Sequence, residues 1–223
     1  MLTLDLLKLS AAVYLPTWPE VEAAIGPEWQ LVYPLDIGDC EAMICRKGAE
    51  AVALAIRGTE FSRGDWNDIS ANVGRLRSWA GPGLLHSGYS RYTDMIWEPA
   101  REALAHLAGA PLYVTGHSLG GALACQFGAK NAVSSRGIQI EHIVTFGAPK
   151  CMDAICAQWY PAPMTRYTIA GDFAPAWPWL SSFEQAGRRI VWQPDEWLKG
   201  PVRRHLLPTY QAAALNGHNR IVI

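Results

Sequence analysis

Gly116-His117-Ser118-Leu119-Gly120 fits the pattern G-x-S-x-G and is the stretch of this chain best suited to chemistry. A serine hydroxyl is a poor nucleophile at neutral pH. It needs a histidine as base, and a carboxylate to hold that histidine in the right tautomer. The pattern acquires meaning only where a strand turns sharply into a helix and lifts the serine clear of both. Leu112-Tyr113-Val114-Thr115 reads as a buried strand, and Gly121 to Phe127 is a run of small and apolar residues that should pack as a helix. Gly116 and Gly120 would let the two backbones approach closely, and the helix N-terminus would favour developing negative charge beside Ser118.

The bases available after Ser118 are His142, His205 and His218. His142 leaves little room for an acid between it and the serine. His218 lies in the tail Leu215-Asn216-Gly217-His218, where a solvated histidine is the default. His205 follows a proline-rich loop at the start of a predicted helix, Arg203–Leu215, and is the favoured base. Asp153, Asp172, Asp195, Glu184 and Glu196 compete for the acid. Asp153 suits a helix cap and Asp195 a turn, whereas Asp172 directly follows Gly171 and an apolar strand, Thr165–Ala170. Asp172 is therefore preferred.

An oxyanion needs donors as well. The residue after the nucleophile, Leu119, supplies one backbone N–H, and the turn Arg57-Gly58-Thr59 after an upstream strand supplies the other through Thr59. Loss of one such donor typically costs ~3 kcal/mol of transition-state stabilisation.

These residues need a scaffold. Glu41–Arg46 and Glu50–Arg57 around Lys47-Gly48 read as a β-hairpin, and Ala51–Ile56 is apolar enough for a central strand. Strands at Leu112–Thr115, Ile138–Phe146, Thr165–Ala170 and Arg188–Trp192 alternate with helical stretches, which predicts a mainly parallel sheet covered on both faces. Tyr92–Leu107 reads as a helix kinked or split by Pro99. Trp66, Ile69, Val73 and Leu76 recur at helical spacing within Phe61–Leu85, a segment suited equally to a mobile cover over the site and to a surface helix.

A chain of 223 residues predicts one domain with a full core. Its net charge of −1, with no basic patch, argues against nucleic acid as a partner. The opening residues carry Leu2, Leu6, Leu9 and Val13 at helical spacing, with Asp5 and Lys8 interrupting the apolar run. They read as an amphipathic helix ending before Pro16 rather than a signal peptide. The expected compartment is the cytoplasm, with non-classical export left open. Gly109–Ala129 lacks charge, but its glycines and polar residues argue against a membrane span. Cys40/Cys45 and Cys151/Cys156 are equally spaced pairs without the usual two-residue zinc spacer, so buried thiols are expected in place of a metal site.

Ile56-Arg57-Gly58-Thr59, Asp65-Trp66-Asn67-Asp68-Ile69, His86-Ser87-Gly88-Tyr89 and Thr115-Gly116-His117-Ser118-Leu119-Gly120-Gly121-Ala122-Leu123-Ala124 together resemble the class 3, fungal-type lipases. Thr145-Phe146-Gly147-Ala148-Pro149, Asp172 with Pro175 and Pro178, and His205 with Tyr210 continue the resemblance, which runs in order from about Leu4 to Leu215. It implies an α/β-hydrolase fold and hydrolysis of acyl esters, lipids foremost, with no metal or cofactor. Ser118, Asp172 and His205 would form the triad, the Thr59 and Leu119 amides the oxyanion hole, and residues 60–85 a lid. The expected partner is an acyl ester or lipid, with transient contact at a lipid surface. Phospholipase or lysophospholipase A activity in the same site is the neighbouring reading, and an inactive lipid- or protein-binding relative is the reading from another class. Trp177, Trp179, Trp192 and Trp197 would suit an acyl chain, and core packing would account for them equally well.

Overall fold

Alternation of larger and smaller apolar side chains along Ala51–Ile56 sets the layers of the molecule. In the computed structural model, which describes residues 2–38, 40–58, 75–107, 109–179, 182–194, 200–216 and 220–222, Val52, Leu54 and Ile56 join one hydrophobic cluster and Ala51, Ala53 and Ala55 the other. Successive side chains of a strand point to opposite faces, so this strand is buried on both.

The chain opens with helices α1 (Leu2–Ala12) and α2 (Trp18–Ile25), followed by strands β1 (Gln30–Ile37), β2 (Cys40–Lys47) and β3 (Ala51–Ile56). A small hairpin, β4 (Leu76–Arg77) and β5 (Leu85–His86), leads into α3 (Ser87–Ala105). Then come β6 (Leu112–His117), α4 (Leu119–Val133), β7 (Ile140–Phe146), α5 (Ala154–Trp159), β8 (Met164–Ile169) and β9 (Arg188–Trp192). Helices α6 (Pro201–His205) and α7 (Leu207–Asn216) and strand β10 (Arg220–Val222) complete the described elements.

Eight strands form one sheet in the order β1-β2-β3-β6-β7-β8-β9-β10. The five strands from β3 to β9 are parallel, and antiparallel strands flank them on both sides. The sheet is thus mainly parallel with helices on its faces, as expected for an α/β fold. Helices α3, α4 and α5 bury Tyr89, Ile96, Leu123, Phe127 and Cys156 on one face. Helices α1, α2 and α7 bury Leu6, Leu9, Ile25 and Tyr210 on the other. The small alanines of β3 lie on the second face, where α1 comes closest to the sheet centre, and Ser10 of α1 bonds to Thr115 of β6 at 2.9 Å. In register, Ile56 lies beside Gly116, His117 beside Phe146 and Phe146 beside Tyr167, so the carboxyl ends of four parallel strands share one edge. That is the edge at which open α/β sheets hold their ligands.

Several local expectations are corrected. Helix α3 begins at Ser87 and is not split at Pro99. Buried residues on both sides of the proline, Ile96 before it and Ala100, Ala103 and Leu104 after it, anchor the helix, and such packing outweighs one missing backbone bond. Leu76 lies in a strand rather than a helix, paired with His86. Trp66, Ile69 and Val73, with most of the predicted cover, lie outside the described residues. The helix predicted over Arg203–Leu215 is two helices. A continuous helix would drive the Pro208 ring into the Arg204 carbonyl, so the chain turns extended at Leu206 (φ −68°, ψ 143°) and starts again. Cys40 and Cys45 face opposite sides of the sheet and cannot share one ion; all five cysteines are buried. Among the described residues, no helix is long and apolar enough to cross a membrane.

Candidate active site

Strand β6 ends at His117, and α4 begins at Leu119, leaving Ser118 alone to make the turn. Its backbone takes φ 56° and ψ −128°, the one positive φ of a non-glycine side chain among the described residues. Strain of this kind costs on the order of 1–3 kcal/mol and persists only where the surroundings fix it. Neighbouring glycines allow that fixation. A methyl on Gly116 would strike the backbone of Gly120, and one on Gly120 would strike the Ile56 carbonyl at the end of β3. The strand-helix turn and the Arg57-Gly58 turn are therefore in direct backbone contact.

The three residues expected to work together meet at this edge. Ser118 Oγ lies 2.7 Å from His205 Nε2, and His205 Nδ1 lies 2.9 and 3.0 Å from the two oxygens of Asp172. They come from three separate places: the turn after β6, the turn after β8 and the C-terminal end of α6. His205 thus closes a short helix instead of opening a long one. Ser118 is 1% exposed and His205 wholly buried, so their interaction is screened little by water.

Asp172 is held by more than the imidazole. The Ala174 N–H donates to Oδ1 at 2.9 Å, and the Tyr210 hydroxyl donates to Oδ2 at 2.6 Å. Burial, followed by the nearby Asp172 carboxylate, pushes the Tyr210 phenol well above its ordinary value, which keeps it a donor. Tyr210 also accepts from the Ile169 N–H at 3.3 Å, tying α7 to the end of β8.

The other candidates are placed elsewhere. Asp153 caps α5, its side chain accepting from the Cys156 N–H at 2.8 Å. Glu184 exchanges backbone bonds with Met152. His142 bonds to Thr165 at 2.9 Å, back along the strands. Asp195, Glu196, His218 and Thr59 lie outside the described residues. The described chain reaches Gly58, whose N–H donates to the Tyr14 hydroxyl at 3.0 Å. Leu119 is the first residue of α4, so its N–H has no intrahelical acceptor.

The tryptophans divide. Trp192 is core, 4.6 Å from the Tyr167 ring and packed on the opposite face. Trp197 is outside the described residues. Trp177 and Trp179 stand edge to face at 4.5 Å on the segment after Asp172, and Trp179 is 69% exposed. Phe173 on the same segment packs 5.3 Å from the His205 ring. Sequence reasoning gave no part to Tyr14, His117 or the Ala174 amide. No local pattern marks Tyr14, which comes from the end of the opening helix, 103 residues before its partner His117.

The model of the class 3 lipase family matches residues 53–182 of this chain. A search of curated proteins found no match. Among solved structures, a deletion mutant of Rhizomucor miehei lipase in complex with its propeptide superposes with a TM-score of 0.72 at 21% identity, over 86% of this chain and 66% of that one. This chain therefore spans just under two thirds of that protein. The nonglycosylated LIP2 lipase of Yarrowia lipolytica gives a TM-score of 0.69 at 20% identity, covering 91% of this chain and 81% of that one. A triacylglycerol lipase described as having a serine-protease triad at its catalytic centre gives 0.72 at 21% identity, over 85% and 78%. At these identities the structures share the α/β-hydrolase fold. With the family model covering more than half of its 223 residues, the protein belongs to the class 3 lipases.

Proposed function

We propose that this chain is a serine carboxylester hydrolase that cleaves acyl esters, lipid esters foremost, through an acyl-enzyme on Ser118. One observation carries the reading: the unbroken path from Ser118 Oγ through the His205 ring to the Asp172 carboxylate, with steps of 2.7 and 2.9 Å. His205 Nε2 takes the hydroxyl proton as Oγ attacks the ester carbonyl, and the Nδ1–H stays on the carboxylate side. The Leu119 N–H, with that of Thr59, stabilises the tetrahedral oxyanion. As the intermediate collapses, Nε2–H protonates the departing alcohol and the acyl group remains on Oγ. Water then repeats the cycle: it gives its proton to Nε2 while attacking the acyl carbon, and the carboxylic acid leaves as Ser118 regains its proton.

The test uses short p-nitrophenyl esters, a fluorophosphonate label and purified variants. Wild type is expected to turn over the esters and to be labelled at Ser118, and Ser118→Ala to lose both. Asp172→Asn should lower kcat by ~10⁴, since the amide favours the wrong imidazole tautomer, whereas Asp153→Ala should retain kcat. Full turnover by Ser118→Ala would overturn the nucleophile assignment. A chain-length series on glycerides and phospholipids then fixes the substrate class.

A further inference from the structure

His117, the residue before the nucleophile, is buried and has both ring nitrogens engaged. Its Nε2 lies 2.7 Å from the backbone carbonyl oxygen of His205. A carbonyl only accepts, so Nε2 carries the proton. Nδ1 then presents a lone pair, and the Tyr14 hydroxyl lies 3.3 Å from it and 3.3 Å from the His117 carbonyl. The same hydroxyl accepts from the Gly58 N–H at 3.0 Å. Around the His117 ring are Tyr14, Tyr210 at 5.7 Å and His205 at 4.8 Å between centroids, and Arg57 lies over the Tyr14 ring at 5.6 Å.

We infer that Tyr14 and His117 are positioning residues that fix, through one hydrogen-bonded chain, both the Arg57-Gly58 turn and the backbone of the general base. The inference rests on the acyl-enzyme reading above. A hydroxyl that holds the Gly58 N–H anchors the Arg57-Gly58 peptide, the one before the proposed donor in the chain. At the other end, the bond to the His205 carbonyl fixes the Cα from which the imidazole reaches Ser118. Both ends of the reacting geometry are thereby referred to one ring. No side-chain atom of Tyr14 or His117 need touch the substrate, and the effect is on orientation alone. Burial first, and the neighbouring His205 second, depress the His117 pKa well below its ordinary value. The ring therefore stays neutral and keeps the donor-acceptor polarity that the chain requires.

The experiment pairs kinetics on p-nitrophenyl butyrate with nitrogen NMR of histidine-labelled protein. Tyr14→Phe removes one oxygen and leaves the ring beneath Arg57; its kcat is expected to fall roughly tenfold with KM within about twofold. His117→Leu should fall further, and His117→Gln should recover at least about tenfold over the leucine variant, because its amide N–H still reaches the His205 carbonyl. The NMR signature expected for wild-type His117 is the Nε2–H tautomer. Wild-type kcat in Tyr14→Phe, equal activity of the leucine and glutamine variants, or an Nδ1–H tautomer would each overturn the inference. Activity surviving in Ser118→Ala would instead sink the acyl-enzyme reading, which keeps the two failures apart. If the His117 variants do not fold, Tyr14→Phe and the wild-type tautomer decide.

Discussion

Tyr210 reaches across from α7 to donate a 2.6 Å hydrogen bond to the Asp172 oxygen that lies 2.9 Å from His205. The phenol also receives the Ile169 N–H, so one oxygen ties the acid to the strand end that presents it. Replacing Tyr210 by Phe leaves the Ile169 N–H and one lone pair of Asp172 buried without this partner. Such losses cost about 1–3 kcal/mol each. Tyr210→Phe is expected to lose at least about 2 kcal/mol in urea unfolding and to slow ester turnover with little change in KM. Wild-type stability in this variant would show that the bond contributes nothing net.

Strain at Ser118 makes a second expectation with an unusual sign. Both Ser118→Ala and Ser118→Gly remove the hydroxyl and its bond to His205, but only glycine accepts φ 56° without a Cβ penalty. Relief of 1–3 kcal/mol, less about 1 kcal/mol for the greater freedom of unfolded glycine, leaves a net gain of about 1 kcal/mol. Ser118→Gly should therefore unfold at higher urea concentration than Ser118→Ala. A glycine variant about 1 kcal/mol less stable than the alanine variant would mean that the turn stores no strain.

How much of this was legible in the sequence follows from how local each signal is. The strand-turn-helix around Ser118 is written in contiguous residues, with glycines where backbones touch, and the structure places them so. Asp172 was readable because an apolar strand ends just before it. His205 lies beside Ser118, but at the end of a short helix rather than the start of a long one, because the effect of Pro208 on the preceding turn competes with an otherwise helical pattern. Strand β1 and helix α2 carried weak signals. β1 contains Pro34, which only an edge strand tolerates, and its register slips between Leu31 and Tyr33. The bonds joining Tyr14, His117 and Gly58 link distant parts of the chain, and no spacing rule encodes them.

Acid should destabilise the fold through a histidine outside the triad. His86 is buried, its Nδ1 accepts from the Tyr89 N–H, and its ring stacks on Tyr89 at 3.8 Å. Burial lowers its pKa from 6.5 to about 4. The unfolded chain therefore binds the proton more readily between those values, and stability falls as pH drops from about 6.5 towards about 4. From pH 7.5 to pH 5 the loss attributable to His86 is about 2 kcal/mol. Urea unfolding at the two pH values checks this. His86→Gln should be less stable at pH 7.5 but show a shallower decline, and an unchanged decline would assign the acid sensitivity elsewhere.

Trp179 gives the last expectation, on lipid surfaces. It is 69% exposed and braced edge-on by Trp177, on the segment that leaves Asp172 and packs Phe173 against His205. Val202 and Leu206, 52% and 42% exposed, lie on either side of His205 in the chain. An indole half in water gains by entering the boundary of a lipid phase, where its apolar body and N–H are both accommodated. Trp179→Ser should leave kcat/KM on soluble p-nitrophenyl acetate within about twofold, since most of the indole faces water. On an emulsified ester the apparent affinity for the interface should weaken by roughly tenfold or more, the ratio corresponding to the ~1.5–3 kcal/mol of a large buried apolar side chain. A parallel fall on both substrates would mean that Trp179 supports the site itself, and no fall on either would remove this rim from contact with lipid.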